Sequence, residues 1–240
     1  MKVWKPHIFS DFDGTITISD VCIDIIRKFG KLEPYLSELA SGKLPLKDFW
    51  VKTFQTFPEN LTLDQIISFV AENAEVDKFF PNFVSFCQQN SIPFVILSDG
   101  FDFYIKTILE KLNLSSITFY ANSINKTGRF FTPIYNFASE SCFCYNVGSC
   151  KRNIALSLLS EDEVLIYVGD GYSDFCMVEY ADIVFAKGIL SSYCNKYRIP
   201  HYNYKTFYDI LIILKKLIER KELKPRRQAQ LKRKKAFEIE

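Results

Sequence analysis

The feature that most constrains this chain is Asp11-Phe12-Asp13-Gly14-Thr15, set directly behind the apolar stretch Ile8-Phe9. The residues before it, Val3 to Ser10, read as a buried strand. Asp and Gly are depleted in strands, and two carboxylates one residue apart repel each other. The cluster costs stability unless positive charge is brought to it. A D-x-D-G-T pattern arises by chance in roughly one chain in several hundred of this length. The ordinary alternative is a polar turn with an Asx-type cap. The chemical alternative is a strand-tip loop that holds a cation and acts on a phosphate.

Beyond the loop the pattern is helical. Asp20 to Phe29 carries Val21, Ile25, Ile26 and Phe29 on one side, with Gly30 as a stop. Leu32, Tyr35, Leu36 and Leu39 continue the pattern, and Leu46 to Phe57 is a third helix, ended by Pro58. Leu61 to Ala71 is a fourth, opened by a Thr62/Gln65 capping box. From there strands and helices alternate. A helix face of Phe79, Phe80, Phe83, Val84 and Phe86 precedes a strand at Ile92–Leu97 and a helix at Phe103–Leu112. A strand at Ile117–Ala121 leads to a hairpin turn at Asn125–Gly128, between Ser123 and Phe130, and residues 132–149 show no period. Helix Lys151–Leu159, strand Val164–Val168, helix Ser173–Tyr180, strand Ile183–Ala186 and the amphipathic helix Thr206–Arg220 complete the series.

Alternation of this kind predicts an α/β fold with a doubly wound parallel sheet. The expected organisation is a core from residues 1–17 and 74–220, a helical unit at 18–73, a hairpin-and-loop insertion at 118–150, and a basic tail at 221–240. At 240 residues one such core with a small insertion is the natural size.

Ligands of doubly wound sheets bind beyond the carboxyl ends of the strands. That rule gathers Asp11 and Asp13, then Ser98-Asp99-Gly100 behind Ile92–Leu97, then Gly169-Asp170-Gly171 and Asp174 behind Val164–Val168, with Lys151 opening the preceding helix. Taken singly, each is ordinary: two turns and a solvated lysine. Together they suit phosphate-ester cleavage. A carboxylate, Asp11, is placed to form an aspartyl-phosphate. Asp13 is placed to protonate the leaving oxygen and then to take a proton from water. Ser98, the amides around Gly100 and Lys151 are placed to hold phosphoryl oxygens. So many acids beside a phosphate need a hard divalent cation, and Mg²⁺ is expected on Asp11, the Asp13 carbonyl and Asp170, with Asp174 reaching it through water or from behind.

With these four segments in order, the chain resembles the haloacid dehalogenase superfamily of phosphohydrolases over nearly all of residues 8–188. The helical unit after the first motif is similar to the cap of its phosphoserine-phosphatase-like branch. Within that branch, D-F-D-G-T-I-T-x-x-D, the G-F-D after Ser98 and D-I-V-F-A-K-G-I-L at 182–190 look most like the methionine-salvage phosphatases. The resemblance implies Asp11 as nucleophile, Asp13 as acid/base and a small phosphorylated metabolite as substrate. That metabolite is either 2-hydroxy-3-keto-5-methylthiopentenyl 1-phosphate or phosphoserine. It also implies Asp20 as a substrate contact. Asp99 departs from the pattern, because glycine is usual there; its side chain has to turn away for the loop to hold phosphate.

Lys52 is the cation expected to meet a substrate carboxylate, and no arginine lies between Arg27 and Arg129. A point-charge lysine makes a weaker bidentate partner than arginine. Phe49, Trp50, Phe54 and Phe57 either contact an apolar substrate tail or form the core of the helical unit. Cys142, Cys144 and Cys150 would make a zinc site only with a fourth ligand, such as His201, and lack the usual paired spacing; reduced cysteines are the default expectation. An odd total of seven argues against a full disulfide set.

Net charge is only +2, yet eight Lys or Arg stand against one acid between Lys221 and Lys235. Such a run binds nucleic acid or an anionic surface, or is a solvated end; without interleaved aromatics, nucleic acid is the less favoured. No apolar run approaches the roughly 18 residues of a membrane span. A cytoplasmic enzyme with no membrane partner, monomeric or homodimeric, is expected. The competing classes are a phosphotransferase using the same intermediate, a non-catalytic phosphate sensor, and a nucleic-acid binder.

Overall fold

The computed structural model describes residues 4–128, 130–139 and 147–239. A seven-stranded sheet forms its centre: β1 (Lys5–Ser10), β2 (Phe94–Phe101), β3 (Thr118–Thr127), β4 (Phe130–Ile134), β5 (Glu163–Gly169), β6 (Ile183–Ala186) and β7 (Tyr202–Asn203). Their order is β4-β3-β2-β1-β5-β6-β7. All neighbours are parallel except β3 and β4. The chain winds outward from β1 to one side through β2 and to the other through β5, so the switch point lies at the end of β1.

Both faces of the sheet are covered at its centre, which is why β1, β2, β5 and β6 are largely buried. Side chains alternate across it. Ile8, Ile96, Val164, Ile166 and Val168 point to one core, shared with helices α5 (Phe80–Gln89), α6 (Asp102–Lys111) and α10 (Phe207–Glu219). Phe9, Val95, Leu97, Leu165 and Tyr167 point to the other, built with α7 (Lys151–Leu158), α8 (Phe175–Val178) and α9 (Gly188–Lys196).

Between β1 and α5 the chain forms four helices, α1 (Val21–Phe29), α2 (Tyr35–Ala40), α3 (Leu46–Phe54) and α4 (Leu63–Asn73). The Thr62/Gln65 capping box is present at the start of α4. Entry and exit of this segment are tied together. Thr17 and Val76 form an antiparallel bridge, the Ile18 N–H donates to the Glu75 carbonyl (2.9 Å), and the Asp77 N–H donates to the Ile16 carbonyl (2.9 Å). Helix α3 buries Phe49, Trp50, Thr53 and Phe54. It sits over the end of β2, with Phe54 and Trp50 at 5.0 and 6.0 Å from the Phe101 ring.

Of three other regions, one differs from the sequence expectation and two add to it. Residues 125–127 continue β3 rather than turn, because the Lys126 ammonium reaches the Leu61 carbonyl (2.5 Å) and lies 5.1 Å from the centre of the Phe131 ring. Residues 188–196 form α9 despite weak helix formers such as Ser, Cys and Asn. The basic tail is helical and keeps most of its Lys and Arg side chains in solvent. It forms α11 (Arg227–Ile239), docked by Arg233, which bonds the Asp182 carboxylate (2.9 Å) and the Tyr180 carbonyl (2.5 Å). Arg226 adds bonds to the Val178 and Glu179 carbonyls, and Lys232 pairs with Glu179. No described helix is long and apolar enough to cross a membrane.

Candidate active site

Asp11 stands where β1 ends, its N–H held by the Val168 carbonyl of β5 (2.9 Å). The chain then turns sharply, and Gly14 adopts φ +70°; a Cβ there would lie 2.6 Å from Asp170 Oδ2. Glycine is therefore required both by the left-handed backbone and by the approach of the second loop. Thr15, fully buried, donates its hydroxyl to Asp170 Oδ1 (2.7 Å) and locks the two loops together.

Lys151, on the first turn of α7, is 2 % exposed. Its ammonium reaches Asp11 Oδ1 (2.7 Å), Asp174 Oδ1 (2.6 Å) and Ser173 Oγ (2.8 Å), which uses all three of its donors. Burial alone would lower its pKa, but the two carboxylates outweigh that and raise it. Asp11 receives Lys151 and the Phe12 N–H on the same oxygen, Oδ1. Burial, then the neighbouring Asp174, push Asp11 well above the ordinary carboxylate range, with Lys151 opposing them.

Asp13 is held differently. Its Oδ1 accepts the Val21 N–H (3.0 Å), and its Oδ2 accepts the Tyr104 hydroxyl (2.6 Å) and, more weakly, that of Ser98 (3.4 Å). No cation touches it among the described residues. Burial, then Asp20, raise its pKa to about 8. Asp20 itself caps α1, accepting the Ile23 N–H (2.9 Å), and burial lifts it to about 6.

Asp174 is fully buried and accepts four bonds, from Lys151, the Tyr167 hydroxyl (2.6 Å) and the N–H groups of Asp170 (2.9 Å) and Gly171 (3.0 Å). With both oxygens so engaged, it shapes the loop and orients Lys151 from behind the other two acids. Asp170 is raised to about 6 by burial, then by Asp174. Among the described residues, Asp11, Asp170 and Asp174 form a group with carboxylate oxygens within 4.8 Å of one another, an all-oxygen set able to hold a metal ion.

Residues 98–100, expected as a loop behind the strand, are instead the irregular end of β2, and they lie beside this group. Ser98 Oγ accepts the Gly100 N–H (2.9 Å). Asp99 turns away from Asp13: its Oδ1 accepts the Ser149 N–H (2.6 Å), and Asn122 bonds its carbonyl (2.7 Å). Its Oδ2 is buried without a partner, and burial raises the group to about 6, with Lys151 opposing. This end of β2 is thus tied through Asp99 to the segment that carries Lys151.

Lys52 is not brought to this cluster. It lies on the exposed side of α3, opposite the face that packs on Phe101. Phe49, Trp50, Phe54 and Phe57 are all buried. Cys142 and Cys144 lie outside the described residues; Cys150 is buried, and His201 is engaged by Ser191 (3.2 Å) and the Ile199 carbonyl (3.0 Å). Sequence reasoning missed Tyr104, Tyr167, Thr15 and Ser173. The tyrosines occupy helix and strand positions that read as core, and the two hydroxyls sit inside motifs whose acids drew the attention.

The family model for haloacid dehalogenase-like hydrolases matches residues 8–179. A 2-hydroxy-3-keto-5-methylthiopentenyl-1-phosphate phosphatase of Bacillus mycoides (strain KBAB4) is 32% identical over 215 residues, covering 89% of this chain and 97% of the relative. One of the same description from Brevibacillus brevis (strain 47 / JCM 6285 / NBRC 100599) is 31% identical, with coverages of 89% and 96%. A solved structure described as a phospho-aspartyl intermediate analogue of phosphoserine phosphatase aligns with a TM-score of 0.62. It is 20% identical and covers 88% of this chain and 99% of its own, a likeness of fold.

Proposed function

The chain belongs to the haloacid dehalogenase-like hydrolase family and is a phosphatase, and from that premise we propose that it hydrolyses 2-hydroxy-3-keto-5-methylthiopentenyl 1-phosphate in the cytoplasm through an aspartyl-phosphate. The observation that carries the chemistry is the unequal treatment of two carboxyls two residues apart. Asp11 has the Lys151 ammonium at 2.7 Å, whereas Asp13 has only neutral donors. Environments that separate two acids in this way assign them different roles.

In this reading Asp11 attacks phosphorus with Oδ2, the oxygen that neither Lys151 nor the Phe12 N–H holds. Asp13 carries a proton at neutral pH and gives it to the departing alkoxide oxygen. The resulting Asp13 carboxylate then takes a proton from the water that attacks the phosphoryl group on Asp11. Ser98 and the Gly100 N–H border the phosphoryl oxygens, and Lys151 exchanges its Ser173 bond for one of them. Asp11, the Asp13 carbonyl and Asp170 would hold Mg²⁺, which when bound supplies the positive charge that this acidic site and a phosphate dianion lack.

Substrate choice rests on the relatives' shared description and on the helices above the site. The segment 18–73 serves as a cap. The α3 face over Phe101 is aromatic, and the exposed Lys52 offers no carboxylate contact there. That favours an apolar methylthio tail over phosphoserine.

The test is a phosphomonoester panel with Mg²⁺ that includes this ester, phosphoserine, phosphoethanolamine and phosphocholine. The highest kcat/KM is expected on the methylthio ester, and Asp11→Asn is expected to lose at least about a thousandfold. Inactivity on the whole panel, or an Asp11→Asn variant equal to wild type, refutes the phosphatase reading. A preference for phosphoserine refutes the substrate.

A further inference from the structure

Asp13 is gripped from two sides that differ in kind. The Val21 N–H belongs to the first turn of α1, in the inserted helical segment. Tyr104 belongs to α6 in the core. It is fully buried, and its ring packs against Phe103 (5.3 Å between centroids) and Phe12 (6.1 Å). A phenol held by its ring has few rotamers left, so the direction of its hydroxyl is set by the core.

Gly100 carries an independent record of the same pair. A Cβ at Gly100 would meet Tyr104 Oη at 1.6 Å and Asp13 Oδ2 at 2.5 Å. The irregular end of β2 thus leaves out a side chain at the point where the phenol crosses to the carboxyl. A tyrosine that only filled the core would not need that gap, because its hydroxyl would point elsewhere.

We propose that Tyr104 is a positioning residue for the proton-transfer step: its hydroxyl fixes Asp13 Oδ2 so that the carboxyl faces the leaving oxygen. The inference rests on the phosphatase reading above and adds a residue to it. In the first half-reaction the phosphorus–oxygen bond of the ester breaks as Asp11 bonds to phosphorus. The Asp13 O–H bond breaks, and its proton goes to the departing alkoxide. Tyr104 keeps its own proton and donates a hydrogen bond to the carboxylate that Asp13 has become. In the second half-reaction Asp13 takes a proton from water, and the same bond holds it in line.

The variant Tyr104→Phe removes one oxygen and leaves the ring contacts with Phe12 and Phe103, so the fold is retained. Two substrates separate the roles. An alkyl phosphate expels a strongly basic alkoxide and needs the proton; p-nitrophenyl phosphate expels a weakly basic phenolate and does not. Because kcat/KM reports steps up to loss of the leaving group, it is the quantity to compare, with the melting temperature alongside. The expected result is a loss of roughly tenfold or more on the alkyl ester and less than about threefold on the aryl ester. Equal losses on both esters, or none on either, overturn the positioning role while leaving the phosphatase reading intact. A wild-type protein inactive on both overturns the phosphatase reading itself, and the positioning role with it.

Discussion

Replacing Asp99 by Asn changes the protein's stability in a pH-dependent way whose size is set by the carboxyl's surroundings. Asp99 is 6 % exposed, and its Oδ2 has no partner. Burial lifts its pKa from the ordinary 3.8 to about 6, against the pull of Lys151, the Ser149 N–H and Asn122. The folded protein therefore holds this proton more tightly than the unfolded chain. Its contribution is fully favourable below about pH 4 and is lost as pH rises through about 6. At about 1.4 kcal/mol per pH unit, the ionised group costs about 3 kcal/mol near pH 7.5 and roughly half that at about pH 5. Asparagine retains an oxygen for the Ser149 N–H and has no charge to bury. Urea unfolding of both proteins at the two pH values isolates Asp99, since every other acid is common to both. The gap between them is expected to move in favour of Asp99→Asn by about 1.5 kcal/mol between the lower and the higher pH. Parallel curves would refute the reasoning, because they would mean that Asp99 titrates as a solvated acid.

Lys151→Met is expected to abolish turnover and to destabilise the protein by about 3 kcal/mol near neutral pH, since it leaves Asp11 and Asp174 buried without their cation; the loss should shrink on acidification as Asp11, held well above the ordinary carboxylate range, takes up a proton, measurable by urea unfolding. Asp13 is the proton donor only while protonated, so kcat/KM on alkyl esters should fall above about pH 8; a profile with no decline up to about pH 9.5 contradicts that assignment. Arg233→Ala removes the side-chain partner of a buried Asp182 carboxylate that keeps two N–H donors, from Leu165 and Arg226. A loss of about 3 kcal/mol is expected by thermal or urea unfolding, with α11 exchanging its amide hydrogens faster.

The positions of the acidic loops were legible because a doubly wound parallel sheet leaves little choice. Apolar runs at 8–9, 92–97 and 164–168 had to be buried strands, and the polar groups behind them had to meet at one edge. What a side chain does once there was less legible. Asp99 turns away because the Ser149 N–H, fifty residues on, offers a bond at 2.6 Å. Lys52 faces outward because its neighbours Phe49, Trp50, Thr53 and Phe54 claim the inner side of α3. Tyr104 looked like any core aromatic, since local pattern reports burial and not where a hydroxyl points. The docking of the tail was not legible because Asp182, the acid that holds Arg233, lies 51 residues earlier in the chain.

The stem formed by residues 16–18 and 75–77 has a consequence for how such a chain is able to change. Its bridge between Thr17 and Val76, with the two flanking backbone bonds, brings both ends of the helical segment to one place on the core. Closing a loop becomes harder only with the logarithm of its length, so a segment twice as long would cost about 0.6 kcal/mol more to close. Beyond the stem, the segment touches these acids through its first turn, where the Val21 N–H bonds Asp13. A chain of this kind can therefore exchange the helices beyond α1 for a set of another size while the stem and the first turn of α1 go on holding Asp13, which makes that point the natural junction for a graft.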